Sequence, residues 1–178
     1  MRSDPNLLRR ASDRDKPLVA RLIQLYLYDL AAVVDFPIGA DGLYDYEFLE
    51  AFWHTPFGAD GLYDYEFLEA FWHTPYLLQR DGELRGFALV KRGCPLTDEE
   101  DCWFMAEFFV MRPYRRTGFG SRAVKEIFEA HPGRWHVPVL MENAPALNFW
   151  QKALEPFSAV SEPVAYDGAD WRLFRMTG

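Results

Sequence analysis

Apolar residues change rhythm several times along this chain, and each change predicts an element. Leu18, Val19, Leu22, Ile23, Tyr26, Leu27 and Leu30 recur at steps of three and four, which sets them on one broad helical face. A short strand over 6–10 precedes this helix, and Ser12, Asp13 and Asp15 supply N-cap residues with an approximate capping box. From Tyr76 the pattern turns to β. YLLQ and ELRGFALVKRG flank Asp81-Gly82, a hairpin turn signal. The polar run CPLTDEED reads as a loop leading to the apolar strand CWFMAEFFVM. Ala123, Val124, Ile127 and Phe128 form the inner face of another helix, ending at His131-Pro132-Gly133. The strand RWHVPVLM, the helix APALNFWQKAL and two strands either side of YDGAD complete the chain.

Residues 39–56, GADGLYDYEFLEAFWHTP, recur unchanged at 58–75 with only Phe57 between them. In the copies, Phe48, Leu49, Phe52 and Trp53, or Phe67, Leu68, Phe71 and Trp72, share a helical face, and Thr-Pro ends each helix. Adding this helix gives the order β, α, α, β, β, β, α, β, α, β, β, an α/β fold with a mixed sheet and helices on both faces. Solenoid arrays need about three or more diverged units. Here even solvent-facing positions such as Glu47 and Glu50 are identical in both copies. The segment therefore reads as a recent tandem duplication or an engineered feature inside one ordinary domain spanning 1–178. One groove accepts one such helix, so the spare copy finds another burial site, exposes aromatic rings or pairs with a second chain; the last two favour self-association, with a homodimer through this segment as one outcome.

A chain of 178 residues, 49% hydrophobic and 17% aromatic, suits a single domain with a substantial core. It has no run of about 18 apolar residues, and MRSDPNLLRR lacks the apolar stretch of a signal peptide. A cytoplasmic protein without membrane contact is expected. The net charge of −8 is unevenly placed: residues 22–79 hold ten acids and no Lys or Arg, whereas Arg112, Arg115, Arg116 and Arg122 cluster. The acidic part suits a cationic amine better than nucleic acid, whose phosphates require dense positive charge. Cys94 and Cys102 form no CxxC pair, and His54, His73, His131 and His136 share no ligand spacing, so structural thiols and no metal are expected.

The most informative stretch is Arg115-Arg116-Thr117-Gly118-Phe119-Gly120-Ser121, between a buried strand and a helix. Glycines there allow a tight turn that points successive N–H groups outward at the positive end of a helix, a diphosphate cradle. Arg115, Arg116 and Arg122 add charge. No P-loop string GxxxxGK[ST] is present. A dinucleotide fingerprint fits Gly118-x-Gly120-x-x-Ala123 with Glu142 further on. However, RPYRRT separates the strand from Gly118, and only 36 residues follow Glu142, too few for the rest of a doubly wound sheet.

These residues resemble the GCN5-related N-acetyltransferases. The family signature [Q/R]-x-x-G-x-[G/A] is matched by Arg115, Gly118 and Gly120. The pattern Asn-x-x-Ala-x-x-Phe-[Tyr/Trp]-x-Lys is matched by Asn143, Ala146, Phe149, Trp150 and Lys152. Element order agrees from residue 6 onward, most strongly from Ala106 to Lys152, and the stretch is similar to a bacterial branch of largely unassigned acceptors. The resemblance implies a mostly antiparallel sheet whose fourth and fifth strands splay, with acetyl-CoA as donor. Its pantetheine arm would pair with the backbone of Phe108, Phe109 and Val110, its diphosphate would lie on residues 115–121, Trp150 would pack beneath the cofactor and Asn143 would hydrogen-bond near the pantetheine. A backbone N–H near Val110 would receive the thioester oxygen. Direct attack by a primary amine of a small molecule or protein would need a base, for which Glu107 is the candidate. Tyr26, Tyr28 and Asp29 are candidates to line the acceptor pocket, with core capping as the other reading. Many members carry Tyr where this chain has Trp150, and indole is no useful acid. That departure keeps a non-catalytic acyl-CoA-binding module in view.

Since the copied block precedes the cofactor motif, a chain lacking 58–75 is expected to fold and to bind acetyl-CoA as well as the full chain. Removing Asp60, Asp64, Glu66 and Glu69 takes the net charge from −8 to −4. Calorimetric titration of the deletion variant checks this, and insolubility or lost binding would show that both copies are required.

Overall fold

The computed structural model describes residues 6–44 and 74–177, which fall into two compact units, Met1–Arg10 with Pro75–Gly178, and Ala11–Thr74. The larger unit carries β1 (Leu8–Arg10), β2 (Thr74–Arg80), β3 (Glu83–Cys94), β4 (Glu99–Val110), β5 (Arg134–Leu140), β6 (Val160–Tyr166) and β7 (Ala169–Thr177). They form one sheet in the order β1-β2-β3-β4-β5-β7-β6. Two helices belong to this unit, α2 (Phe119–Ala130) and α3 (Ala144–Leu154). Asp81 and Gly82, with φ of 54° and 80°, make the left-handed two-residue turn whose twist matches the strands β2 and β3. Asp167 and Gly168 do the same between β6 and β7. The helices predicted inside the repeat, with His54 and His73, lie outside the described residues.

The sheet is antiparallel except where β4 meets β5. That parallel ladder pairs Trp103 with Trp135 and Phe104 with His136, and no residues beyond. In the β3–β4 ladder Leu89 faces Glu107 while Val90 faces Met105, so Ala106 is an extra residue. A bulge of this kind bends a strand and increases its twist, and it falls just where β4 leaves β5.

Alternation along the strands sorts the two sheet faces. Ala88, Val90, Met105, Val110, Trp135 and Val137 pack with Ala123, Val124, Ile127 and Phe128 of α2 and with Trp150 and Leu154 of α3. Phe128 and Trp135 lie 4.5 Å apart, ring centre to ring centre. On the other face Cys94, Cys102, Phe104 and Leu173 form a smaller cluster with Ala106 beside it.

The loop expected over CPLTDEED is shorter than predicted, because β4 already begins at Glu99. Its acids are held in the strand by cross-strand cations. Glu99 meets Arg175 at 3.0 Å and Arg134 at 3.7 Å, and Asp101 pairs with Arg92 and Arg134. Strand β6 at the rim is exposed along most of its length, carries Pro163, and joins the row through Glu162, 2.8 Å from Arg175.

In the smaller unit the Ser-x-x-Asp box closes a 3-10 turn (Asp13–Asp15) ahead of α1 (Lys16–Leu30), with the Asp15 carboxylate accepting from both the N–H and the hydroxyl of Ser12. Val19, Leu22, Ile23 and Leu27 of the predicted face are buried. Gln24 donates to the carbonyl of Tyr44 at 3.2 Å and accepts from its N–H at 2.9 Å, which ties the opening residues of the first repeat copy to α1.

Gly86 sits opposite Val110, and a Cβ there would lie 2.0 Å from the carbonyl oxygen of Phe109. The obstacle is backbone and cannot swing away. Gly86→Ala is expected to destabilise by about 1–3 kcal/mol, read as a lowered urea midpoint.

His131 is buried, its Nε2 is 2.9 Å from the Tyr76 hydroxyl and its carbonyl accepts from Trp135 Nε1. Burial, reinforced by Arg10, lowers its pKa from 6.5, and burial lowers that of His136. The unfolded chain therefore takes up protons first as the pH falls. The stability these neutral rings contribute is present above pH 6.5 and is lost progressively below it. Thermal melts from about pH 8 to about pH 5 should show this slope, and His131→Gln should flatten it.

Candidate active site

At the end of β4 the chain makes a sequence of tight local contacts that leave one helix end bare. The N–H of Met111 donates to the carbonyl of Arg85 at 2.8 Å, and a 3-10 turn over Arg112–Tyr114 follows. Arg116 adopts φ of 61°, and the Thr117 hydroxyl donates to the carbonyl of Tyr114 at 2.8 Å. Gly118, at φ of 76°, is the N-cap of α2 and has no side chain to cap it. That left-handed angle favours glycine. The first intrahelical bond runs from Arg122 N–H to Gly118 O at 3.2 Å. The N–H groups of Phe119, Gly120 and Ser121 therefore precede the first helical donor, and no acid stands in the first turn.

Packing beneath the loop explains the second glycine. A Cβ on Gly120 would lie 3.0 and 3.2 Å from the ring of Phe149 and 3.6 Å from Val110. Phe149 stacks on Phe108 at 5.6 Å and 13°, and Trp150 meets both rings at 5.2 Å. This aromatic floor brings together the end of β4, the start of α2 and the middle of α3. Asn143 holds its third component in place: its Oδ1 accepts from Ala146 N–H at 3.1 Å and caps α3. The structure thus groups Phe108, Val110, Gly118, Gly120 and Trp150. Phe149 belongs with them: the motif names it but gives it no place in the site, and its position four residues before Ala153 on an amphipathic helix gave no hint of a contact with Gly120.

Other candidates take specific postures. Phe119 is wholly buried, so its ring is packed away from the surface of the loop. Arg115 folds back onto β4: its Nε donates to the carbonyl of Val110 at 2.6 Å, and its guanidinium lies 5.4 Å from the Phe109 ring centre. Arg116, Thr117, Ser121 and Arg122 lie toward solvent around the helix start. Glu107 is half-buried, opposite Leu89 and next to the bulge, on the sheet face that also bears Phe109. Tyr26, Tyr28 and Asp29 occupy the end of α1 in the smaller unit, where Tyr28 is exposed and Asp29 half-buried.

A second row of reactive residue types lies elsewhere in the sheet. Cys102 Sγ is 3.6 Å from His136 Nδ1, whose Nε2 is 3.7 Å from Glu99. Burial, with Cys94 and Glu99 adding to it, pushes the Cys102 thiol up to about 11, while burial pushes His136 down. Both are uncharged near neutrality, so this row holds no thiolate nucleophile and the His136 contact is no ion pair there. Among the described residues, no group of three or more His, Cys, Asp and Glu could hold a metal ion.

Residues 43–155 match the model of the acetyltransferase (GNAT) family. No curated protein gives a significant match. Among solved structures, an acetyltransferase from Thermus thermophilus is similar at 21% identity and a TM-score of 0.60, covering 96% of each chain. A GNAT-family acetyltransferase from Streptococcus agalactiae superposes with a TM-score of 0.63 at 14% identity, over 96% of this chain and 94% of that one. YncA of Salmonella typhimurium, solved with its cofactor acetyl-CoA, is 12% identical with a TM-score of 0.54, over 96% and 92%.

Proposed function

Since this chain belongs to the acetyltransferase (GNAT) family, we propose that it moves an acetyl group from acetyl-CoA to the primary amine of a small molecule or protein, with residues 1–178 acting as one catalytic domain. The observation that carries the reading is the meeting, over one aromatic floor, of an uncapped helix start with a strand that has parted from its neighbour.

The residues present fit the donor. The uncapped first-turn N–H groups of Phe119, Gly120 and Ser121, at the positive end of α2, suit a diphosphate, with Arg116 and Arg122 beside them. Beyond Phe104 the facing edges of β4 and β5 have no partner in each other, so the backbone of Phe108, Phe109 and Val110 suits an extended amide chain. Arg115 already occupies the carbonyl of Val110, which favours a part in holding the strand end over direct contact with phosphate. Asn143 and Trp150 support this floor. Bound acetyl-CoA supplies the activated thioester carbonyl that the amine attacks, and a backbone N–H near Val110 is suited to the oxygen that gains charge.

An alkylamine is largely protonated near neutrality. Glu107 is the residue we assign to accept that proton, leaving the nitrogen lone pair free to attack. Asp29, with Tyr26 and Tyr28, would draw a cationic acceptor. Among the described residues no helix is long and apolar enough to cross a membrane.

Free-thiol release from acetyl-CoA, followed over a panel of primary amines, tests the assignment. Glu107→Gln is expected to lower kcat by about 10²–10⁴-fold and to erase the acidic limb of the pH–rate profile, while acetyl-CoA still raises Tm. Thermal protection without turnover on any amine would leave a binding module, and an unchanged pH profile would remove Glu107 from the chemistry.

A further inference from the structure

We propose that Arg85 is a positioning residue for the donor's diphosphate; this rests on the function proposed above. Arg85 lies outside both sequence motifs, near the start of β3, yet it touches both the turn and the helix start that build the cradle. Its carbonyl receives the Met111 N–H at 2.8 Å and so fixes where the 3-10 turn begins. Its guanidinium carbon lies 4.8 Å from the ring centre of Tyr114, in that turn, and 5.5 Å from that of Phe119, the first residue of α2. Cation–π attraction acts over such distances, and one planar cation thereby couples the turn to the helix start. The two rings are not equivalent: Phe119 is wholly buried, whereas Tyr114 is half-buried.

The charge of Arg85 is little compensated. Its side chain is only 16% exposed, and it meets the carboxylate of Glu83 at 3.3 Å, itself 64% exposed. Its Nε is buried and donates to nothing among the described residues. A cation in reduced dielectric acts over a longer range than one in water, and here its field adds to that of the bare amides of α2. The neighbouring Gly86 pairs with Val110 and lies so close to the backbone of Phe109 and Val110 that no Cβ would fit, which sets the main chain that carries Arg85 against the end of β4. Geometry and charge thus arrive together beneath the loop that receives the diphosphate.

The test compares two acetyl donors, acetyl-CoA and S-acetylpantetheine, which has the same thioester arm but no diphosphate. For Arg85→Met, the ratio of kcat/KM for acetyl-CoA to that for S-acetylpantetheine is expected to fall about tenfold, the scale of one lost charge-assisted interaction. Raising ionic strength should narrow the gap between wild type and variant. Arg85→Lys keeps the charge without the planar stack and should restore most of the ratio while melting at a lower temperature. It also carries the comparison if Arg85→Met does not fold. A ratio unchanged in both variants, with both donors affected alike, would overturn the proposal and leave Arg85 a packing residue. Wild-type protein with no affinity for coenzyme A in calorimetry would overturn the function itself.

Discussion

Peptide groups removed from water must find partners, and β4 and β5 are arranged so that most of theirs cannot find them in each other. The two strands run side by side for two residue pairs and then separate, at the level where the extra residue Ala106 bends β4 away from its straight course. Beyond that point each strand keeps only its outer neighbour, β3 on one side and β7 on the other. Along the middle of the sheet their inner edges no longer pair with each other. The architecture makes sense around an extended molecule with amides of its own, and the remaining features of the site follow from where that edge leads.

It leads to the start of α2. The left-handed angle at Gly118 turns the chain into the helix, whose first-turn N–H groups have no side-chain cap. Gly120 lets Phe149 come within contact of the same backbone. Phe149 stacks on Phe108, the residue at the exposed edge of β4. A rigid aromatic stack therefore sets the distance between the strand that would hold the arm and the helix end that would hold the phosphates. Catalysis of group transfer gains from such fixed spacing, because a displacement of about 1 Å at the reacting carbonyl is costly.

Local chemistry made some of this legible from sequence and long-range pairing hid the rest. Asp81-Gly82 announced a hairpin because only a few residues accept that turn, and Gly118 announced a helix start for the same reason. The bounds of α3 were readable from the segment APALNFWQKAL itself, whereas the capping role of Asn143 ahead of it emerged only in the structure. CPLTDEED looked like a loop because its acids are unsuited to a strand taken alone; the arginines that hold Glu99 and Asp101 in place stand at positions 92, 134 and 175. The direction of Arg115 was equally hidden, since a motif records charge and not the carbonyl a side chain turns back to meet. Arg85 carried no signal beyond its position one residue before a glycine. Of the duplicated segment, the described residues include the opening of the first copy, held by Gln24, and the last two residues of the second, which begin β2.

The borders of the sheet bear on where an extended chain can dock. One rim is β1, three residues long, and the other is β6, in which Pro163 lacks an N–H to offer an incoming strand. Both rims are poor templates for polymerisation by backbone pairing. The seam where β4 and β5 cease to pair lies inside the sheet instead, beside a helix end and an aromatic floor, so a chain entering there would meet those groups first.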